Sequence, residues 1–192
     1  MQSIAALDAV ISPEWDYRYY SFDSRWGEDE MMGSMRNGSG DSYYVLFNSS
    51  GAFIKGFDHE RWNRDLSTAE AYRDVPSCFS SGVSEPAFSP AEVTFCYWRK
   101  PQDDHWHAAN LKGLEARNDG SEWMISELDG DPASYLAFAR SRYEVDLDAA
   151  FVSAIYDHDQ MTPMLANSLN PSIDYSALTQ DLLEIGYPIA ID

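Results

Sequence analysis

The chain has 192 residues and a mass of 21.7 kDa, and its 32 acidic and 13 basic residues give a formal net charge of −19. Such a charge repels nucleic acids and anionic membranes, and it attracts basic proteins and metal cations. The hydrophobic fraction of 44% and the aromatic fraction of 14% exclude a disordered acidic tail and indicate a folded protein that contains a sheet.

The sequence shows no targeting or membrane signal. Its N-terminus lacks a basic segment followed by an apolar one, and no run of 18 apolar residues occurs. The two cysteines, Cys78 and Cys96, are too few for a disulfide framework and lack the Cys-x-x-Cys spacing. We therefore expect a cytoplasmic protein of a bacterium-like cell, with no nucleic acid or membrane as partner.

The first predicted elements are a short helix and two strands. Residues 3–11 favour a helix, which ends before Pro13. Residues 15–22 alternate as a strand does, and residues 29–36 predict a second strand.

Residues 43–57 give the clearest local signal, a β-hairpin. Residues 43–47 and 52–57 are rich in aromatic and β-branched side chains, and turn residues ending in Gly51 separate them. Because the first run is almost wholly apolar, we place it in the middle of the sheet. An antiparallel meander over residues 15–57 is the simplest arrangement.

Weaker signals follow up to residue 130. Residues 61–72 have helical spacing, residues 92–99 predict a strand, and residues 103–114 predict another strand. Residues 122–128 predict a short helix.

Helix signals dominate after Gly130. The predicted N-caps of four helices are Asp131, Asp146 or Asp148, Thr162 and Asp174, and Gly186 is the predicted C-terminal stop of the last helix. The sequence thus predicts an α+β fold, an antiparallel meander with packed helices. Residues 1–130 form its β-rich region, and residues 131–192 form a helical region that docks on the sheet within one compact unit.

A protein-binding surface is the first functional hypothesis. Aromatic rings serve as anchors at interfaces, and carboxylates steer a basic partner into place. The predicted partner-binding residues are aromatic or acidic side chains in turn and helix contexts: Trp26, Glu28, Asp29, Glu30, Trp62, Asp103 and Asp104.

The alternative hypothesis is a metal-dependent, hydrolase-like enzyme. Every histidine lies in an acidic stretch, and imidazole and carboxylate groups are metal ligands. The predicted ligands of a divalent metal are His59, His105, His107, Asp157 and His158. No His-Glu-x-x-His spacing or other specific metal motif occurs, and flanking acids are expected often in so acidic a chain.

No catalytic motif is present. The chain has no Gly-x-Ser-x-Gly elbow and no phosphate-binding loop that ends in Gly-Lys-Thr. We therefore predict a non-enzymatic protein without cofactor, leaving open the metal enzyme and a structural module without ligand. The oligomeric state does not follow from the sequence.

Two stretches carry a resemblance to known proteins. Residues 38–60 and residues 181–188 resemble a family of uncharacterised bacterial proteins, and this resemblance implies no catalytic residues. In size, acidity and lack of motifs the chain also resembles immunity proteins of bacterial toxin systems, including the SMI1/KNR4-like group. That resemblance of type implies an inhibitor of a basic toxin.

Overall fold

The computed structural model describes residues 1–62, 67–109 and 118–190. Within these ranges the protein has the predicted α+β fold, and its six-stranded antiparallel sheet follows chain order, which confirms the meander. The strands are β1 (Tyr20–Gly27), β2 (Glu30–Arg36), β3 (Ser42–Asn48), β4 (Gly51–Phe57), β5 (Phe95–Arg99) and β6 (His107–Ala108).

Helices occur before, within and after the strands. They are α1 (Gln2–Ile11), α2 (Thr68–Ala71), α3 (Ser80–Ser84), α4 (Ser121–Met124), α5 (Pro132–Arg142), α6 (Ala149–Tyr156), α7 (Pro163–Leu169) and α8 (Tyr175–Ile185). Short 3₁₀ turns occupy Trp15–Tyr17, Ser77–Phe79, Pro86–Phe88 and Ser126–Asp129. None of the helices in the described ranges is long and apolar enough to cross a membrane.

Contacts group the chain into two compact units. The helical unit comprises Met1–Ser24 and Ser126–Asp192, and the sheet unit comprises Arg25–Ile125. Strand β1 begins in the first unit and ends in the second.

The sheet unit buries an apolar cluster on the described strands β3, β4 and β5. Leu46 of β3 and Phe53 of β4 contribute from the middle strands, and Cys96 and Trp98 contribute from β5. Side chains from α2 and the neighbouring turns complete the cluster: Ala71, Tyr72, Phe79, Phe88 and Val93. The predicted hairpin is confirmed, and β3 is the third of the six described strands, as its apolar run indicated.

Helices α5 to α8 begin directly after the predicted N-cap residues. The Asp131 carboxylate accepts a hydrogen bond from the N–H of Ala133, and Asp148 caps α6 in the same way. Thr162 caps α7, and Asp174 caps α8, which ends at Gly186 with a φ of 73°. Each cap satisfies N–H groups that have no partner inside the helix.

Residues 15–22 differ from the prediction of a strand, which was wrong for their first half. Trp15–Tyr17 form a 3₁₀ turn, and β1 begins only at Tyr20. The reason is the buried carboxylate of Asp8, which accepts the backbone N–H groups of Tyr19 and Tyr20 at 3.0 and 2.8 Å. A partner distant in sequence thus decides where the strand begins.

Two predicted elements extend beyond the described residues. Positions 63–66 of the predicted helix over residues 61–72 lie outside them, and α2 begins after the Ser67 cap. Positions 110–114 of the strand predicted over residues 103–114 also lie outside them, and β6 comprises His107–Ala108.

The pH dependence of stability should report the burial of Asp8. Burial raises the pKa of this carboxyl to about 6, although hydrogen bonds from four groups act in the opposite direction. Because the folded state binds the Asp8 proton more tightly than the unfolded state does, protonation of Asp8 stabilises the fold. This stabilisation is fully present below about pH 4 and is lost as the pH rises through about 6. Between pH 4 and pH 7 we expect the stability of the Asp8→Asn variant, relative to the wild type, to rise by up to about 3 kcal/mol.

Urea unfolding of both proteins across that pH range measures the difference. The amide side chain of the variant has the same shape as the carboxyl and does not titrate, so the other acidic residues cancel in the comparison. A difference between the two proteins that stays constant with pH would show that Asp8 does not titrate abnormally.

Candidate functional site

The turn between β1 and β2 carries three of the predicted partner-binding acids. Glu28 and Asp29 are exposed in the turn, and Asp29 adopts a positive φ of 59°. Glu30 opens β2, and its Oε1 accepts a hydrogen bond of 2.7 Å from the Ser81 hydroxyl. A partner role for the three carboxylates stays a prediction.

The two tryptophans predicted to bind a partner are both half-buried. The Trp26 ring stacks on Phe88 with 5.8 Å between ring centres. Trp62 meets Phe57 edge-on at 5.5 Å. These contacts hold part of each ring against the sheet unit, so only the remaining part of each is open to a partner.

The end of the β5–β6 hairpin brings two predicted acids and two predicted metal ligands together. Oδ2 of Asp103 accepts the N–H of Lys100 at 2.8 Å and lies 3.2 Å from Nε2 of His107. Asp104 is 93% exposed, and its Oδ1 lies 2.5 Å from Nδ1 of His105. The two imidazole rings are neighbours, with centres 4.7 Å apart.

His59 pairs with a buried carboxylate at the other end of the hairpin strands. Oδ1 of Asp41 accepts the backbone N–H of His59 at 2.9 Å and lies 2.7 Å from its Nδ1. Burial by itself would raise the pKa of Asp41, but hydrogen bonds from His59 and Asn37 outweigh it and lower the pKa. The hydrogen bond to Asp41 in turn raises the pKa of His59.

Asp58 completes a group in which three ligand atoms lie within 4.8 Å of one another, with Asp41 and His59 as the other members. Asp58 already accepts several donors. Its Oδ1 accepts the N–H of Glu60 at 3.0 Å, and its Oδ2 lies 3.2 Å from Nε1 of Trp123 and 3.4 Å from the Arg61 guanidinium. An ion would have to displace these donors, so the geometry is that of a satisfied ion-pair network.

The hairpin register explains this group. Ser42 pairs with Phe57, so the preceding residue Asp41 and the following residue Asp58 come next to each other. The predicted turn implied this register, which is the signal in the sequence that points to the pair.

The remaining predicted metal ligands, Asp157 and His158, follow α6 in the helical unit. His158 has a φ of 59°, and its ring stacks on Tyr187 at 5.4 Å. The hypothesis that these residues share an ion with His59 and the hairpin histidines stays a prediction.

The structure also reveals a surface that the sequence pattern did not predict. Residues 14–17, here named the acidic aromatic turn, alternate two exposed acids with Trp15 and Tyr17, which are 51% and 69% exposed. The pattern favoured a strand, in which Trp15 and Tyr17 would share one face. In the structure Trp15–Tyr17 form a 3₁₀ turn instead, and both rings are exposed to solvent.

Arg18 follows this turn directly and is buried, with 6% of its surface exposed. Its guanidinium donates to the carbonyl oxygens of Ser12 and Pro13 at 2.8 and 2.5 Å, and it pairs with Asp181 of α8 at 2.6 Å. These contacts hold the backbone on both sides of the turn, and backbone order before binding lowers the conformational entropy lost on binding.

A small, shallow cleft opens beside the acidic aromatic turn. Its lining includes Trp15, Arg18 and Ser21 from the N-terminal segment and Asp181 and Glu184 from α8. Within the described part of the chain, the hydroxyl oxygen of Ser21 is buried without a hydrogen-bond partner.

Charge is distributed unevenly between the units. The helical unit carries 16 acidic and 3 basic residues, a net charge of −13, whereas the sheet unit carries 16 and 10, a net charge of −6. Two of the three arginines of the helical unit are paired, Arg18 with Asp181 and Arg140 with Asp146.

Comparisons with protein-family models, with curated proteins and with solved structures find no match to this chain.

Proposed function

We propose that this protein is a non-enzymatic, acidic binding protein for a basic protein partner, and that the acidic aromatic turn is its docking surface. The observation that carries the proposal is the placement of two exposed rings next to carboxylates, in the unit that holds a net charge of −13. The more specific form of the proposal is an immunity-type inhibitor that covers the positive cleft of a toxin enzyme.

The two kinds of side chain have different tasks. A strongly negative unit attracts a basic partner over a long range and raises the association rate, especially at low salt. Trp15 and Tyr17 supply the buried apolar contacts that dominate binding energy at protein interfaces.

The acidic and aromatic side chains at the mouth of the cleft suit the charged end of a lysine or arginine side chain of the partner. A cation can lie over the face of Trp15 while the carboxylates of Asp181 and Glu184 face its charge. Asp181 already pairs with Arg18 at 2.6 Å, so a partner cation would share this carboxylate.

A metal-dependent enzyme remains the second candidate, supported by the group of Asp41, Asp58 and His59. The donors that already satisfy Asp58 weigh against it. Elemental analysis of the protein, purified without a histidine tag, tests this candidate. One equivalent of metal that is lost in the His59→Ala variant would support it, and substoichiometric metal would contradict it.

Removal of the two exposed rings should weaken partner binding strongly. We expect the double variant Trp15→Ala/Tyr17→Ala to bind at least about 30-fold more weakly, because each interface anchor contributes on the order of 1–2 kcal/mol. The partner is first cross-linked and identified in the source cells, and the dissociation constant is then measured with purified proteins by calorimetry. A nona-arginine peptide serves as a defined second probe of the cleft.

Control variants test whether the acidic aromatic turn is the surface that binds the partner. Trp106→Ala removes a ring that is 43% exposed in the sheet unit, and binding should stay unchanged. Glu14→Gln/Asp16→Asn should slow association at low salt and leave dissociation nearly unchanged. Loss of binding with Trp106→Ala but not with the double variant would overturn the proposed surface.

A further inference from the structure

We propose that His105 and His107 form a surface binding site for a divalent first-row transition ion, Cu²⁺ or Ni²⁺, at the end of the β5–β6 hairpin. This inference is independent of the proposed protein-binding function. It rests on the arrangement of two imidazole rings and two carboxylates within five consecutive residues.

The separation of the rings fits shared coordination of one ion. A metal–nitrogen bond of about 2.1 Å places an ion roughly 3.2 Å from the centre of each ring. Ring centres 4.7 Å apart then subtend about 95° at the ion. That angle is close to the right angles of square-planar and octahedral sites, which Cu²⁺ and Ni²⁺ prefer with imidazole ligands.

Each ring also has the carboxylate neighbour that metal-bound histidines usually have. Asp104 contacts Nδ1 of His105 and leaves its Nε2 for an ion, whereas Asp103 lies beside Nε2 of His107 and leaves its Nδ1. A carboxylate that accepts one ring N–H fixes the tautomer and makes the opposite nitrogen a better ligand.

The site is supported from one side and open on the other. His107 stacks on Trp98 of β5 with 5.9 Å between ring centres and 16° between ring planes, which fixes one ligand on the sheet. His105 is 69% exposed and His107 39% exposed, so an ion reaches the rings from solvent and water completes its coordination.

Calorimetric titration of the full chain, purified without a histidine tag, with NiCl₂ and with CuSO₄ tests the site. We expect one equivalent to bind, with Cu²⁺ tighter than Ni²⁺. His105→Ala and His107→Ala should each weaken binding at least about tenfold, and Asp103→Asn should weaken it by about tenfold or less. Because neither histidine side chain is buried, the variants should fold as the wild type does, and circular dichroism checks this.

Three controls make the outcome decisive. His59→Ala and His158→Ala remove the other two histidines and should leave the affinity unchanged. Mg²⁺, which prefers oxygen ligands, should not compete. Unchanged Ni²⁺ binding in the His105→Ala/His107→Ala variant, loss of binding in His59→Ala, or displacement by Mg²⁺ would each overturn the assignment.

Discussion

Replacement of Asp8 by alanine should lower the free energy of unfolding by about 4 kcal/mol, one of the two largest effects expected in this chain. The carboxylate is fully buried and accepts four hydrogen bonds, from the hydroxyls of Tyr135 and Tyr143 and from the backbone of Tyr19 and Tyr20. Alanine removes this shared acceptor from all four donors, although the N–H of Tyr19 also donates to the Tyr143 hydroxyl at 3.1 Å. Urea unfolding at neutral pH, followed by circular dichroism, measures the loss.

Two further variants separate the effect of the Asp8 charge from the effect of its hydrogen bonds. Asp8→Asn keeps an acceptor oxygen for part of the donors and removes the charge, so it should be far less destabilising than alanine. Tyr143→Phe removes one donor to Asp8 and the hydroxyl that accepts from the N–H of Tyr19, which keeps Asp8 as its acceptor, and it should cost about 1 kcal/mol. A loss below about 1 kcal/mol for Asp8→Ala would contradict the role of Asp8 as the acceptor that joins α1, β1 and α5.

Replacement of Gly51 by alanine should destabilise the sheet unit by about 3–5 kcal/mol. Gly51 opens β4 with a φ of 128°, which side chains other than hydrogen rarely permit. A Cβ atom here would also lie 2.1 Å from the carbonyl oxygen of Arg99 on β5. Both the backbone conformation and the neighbouring strand therefore exclude it.

Gly38→Ala is the matched control. Gly38 also has a positive φ, of 73°, but nothing lies within 4 Å of the position that its Cβ would occupy. We expect a loss of only about 1 kcal/mol there. Equal effects of the two substitutions, measured by urea unfolding, would show that β5 does not approach Gly51 as described.

The elements that the sequence predicted well depend on local interactions. The caps of α5 and α7 consist of an N-cap side chain followed by proline, and both were correct to the residue. The hairpin of β3 and β4 was equally clear, because alternation and turn chemistry act within a few residues.

Long-range polar contacts explain what the sequence did not predict. Nothing near residues 15–17 indicates that Arg18, directly after the turn, reaches Asp181 across 163 positions. Lys55 lies inside β4, 1% exposed, because its ammonium donates to the carbonyl oxygens of Phe88 and Ser89. Its burial lowers the pKa of the amine to about 8.

The candidate sites also divide into one that local sequence spacing predicted and one that it did not. The short spacing of His105 and His107 was visible in the sequence, and the rings are neighbours in the structure. The acidic aromatic turn was not predicted as a surface, because its alternation of acids and rings is also typical of a strand.

The salt dependence of association with the purified partner tests the central claim most directly. Stopped-flow measurements between about 50 and 500 mM NaCl should show the association rate constant of the wild type falling at least about tenfold, because salt screens the charge of the helical unit. The dissociation rate should change little over the same range. An association rate that does not respond to salt, or a captured partner without a basic surface, would contradict the proposed function.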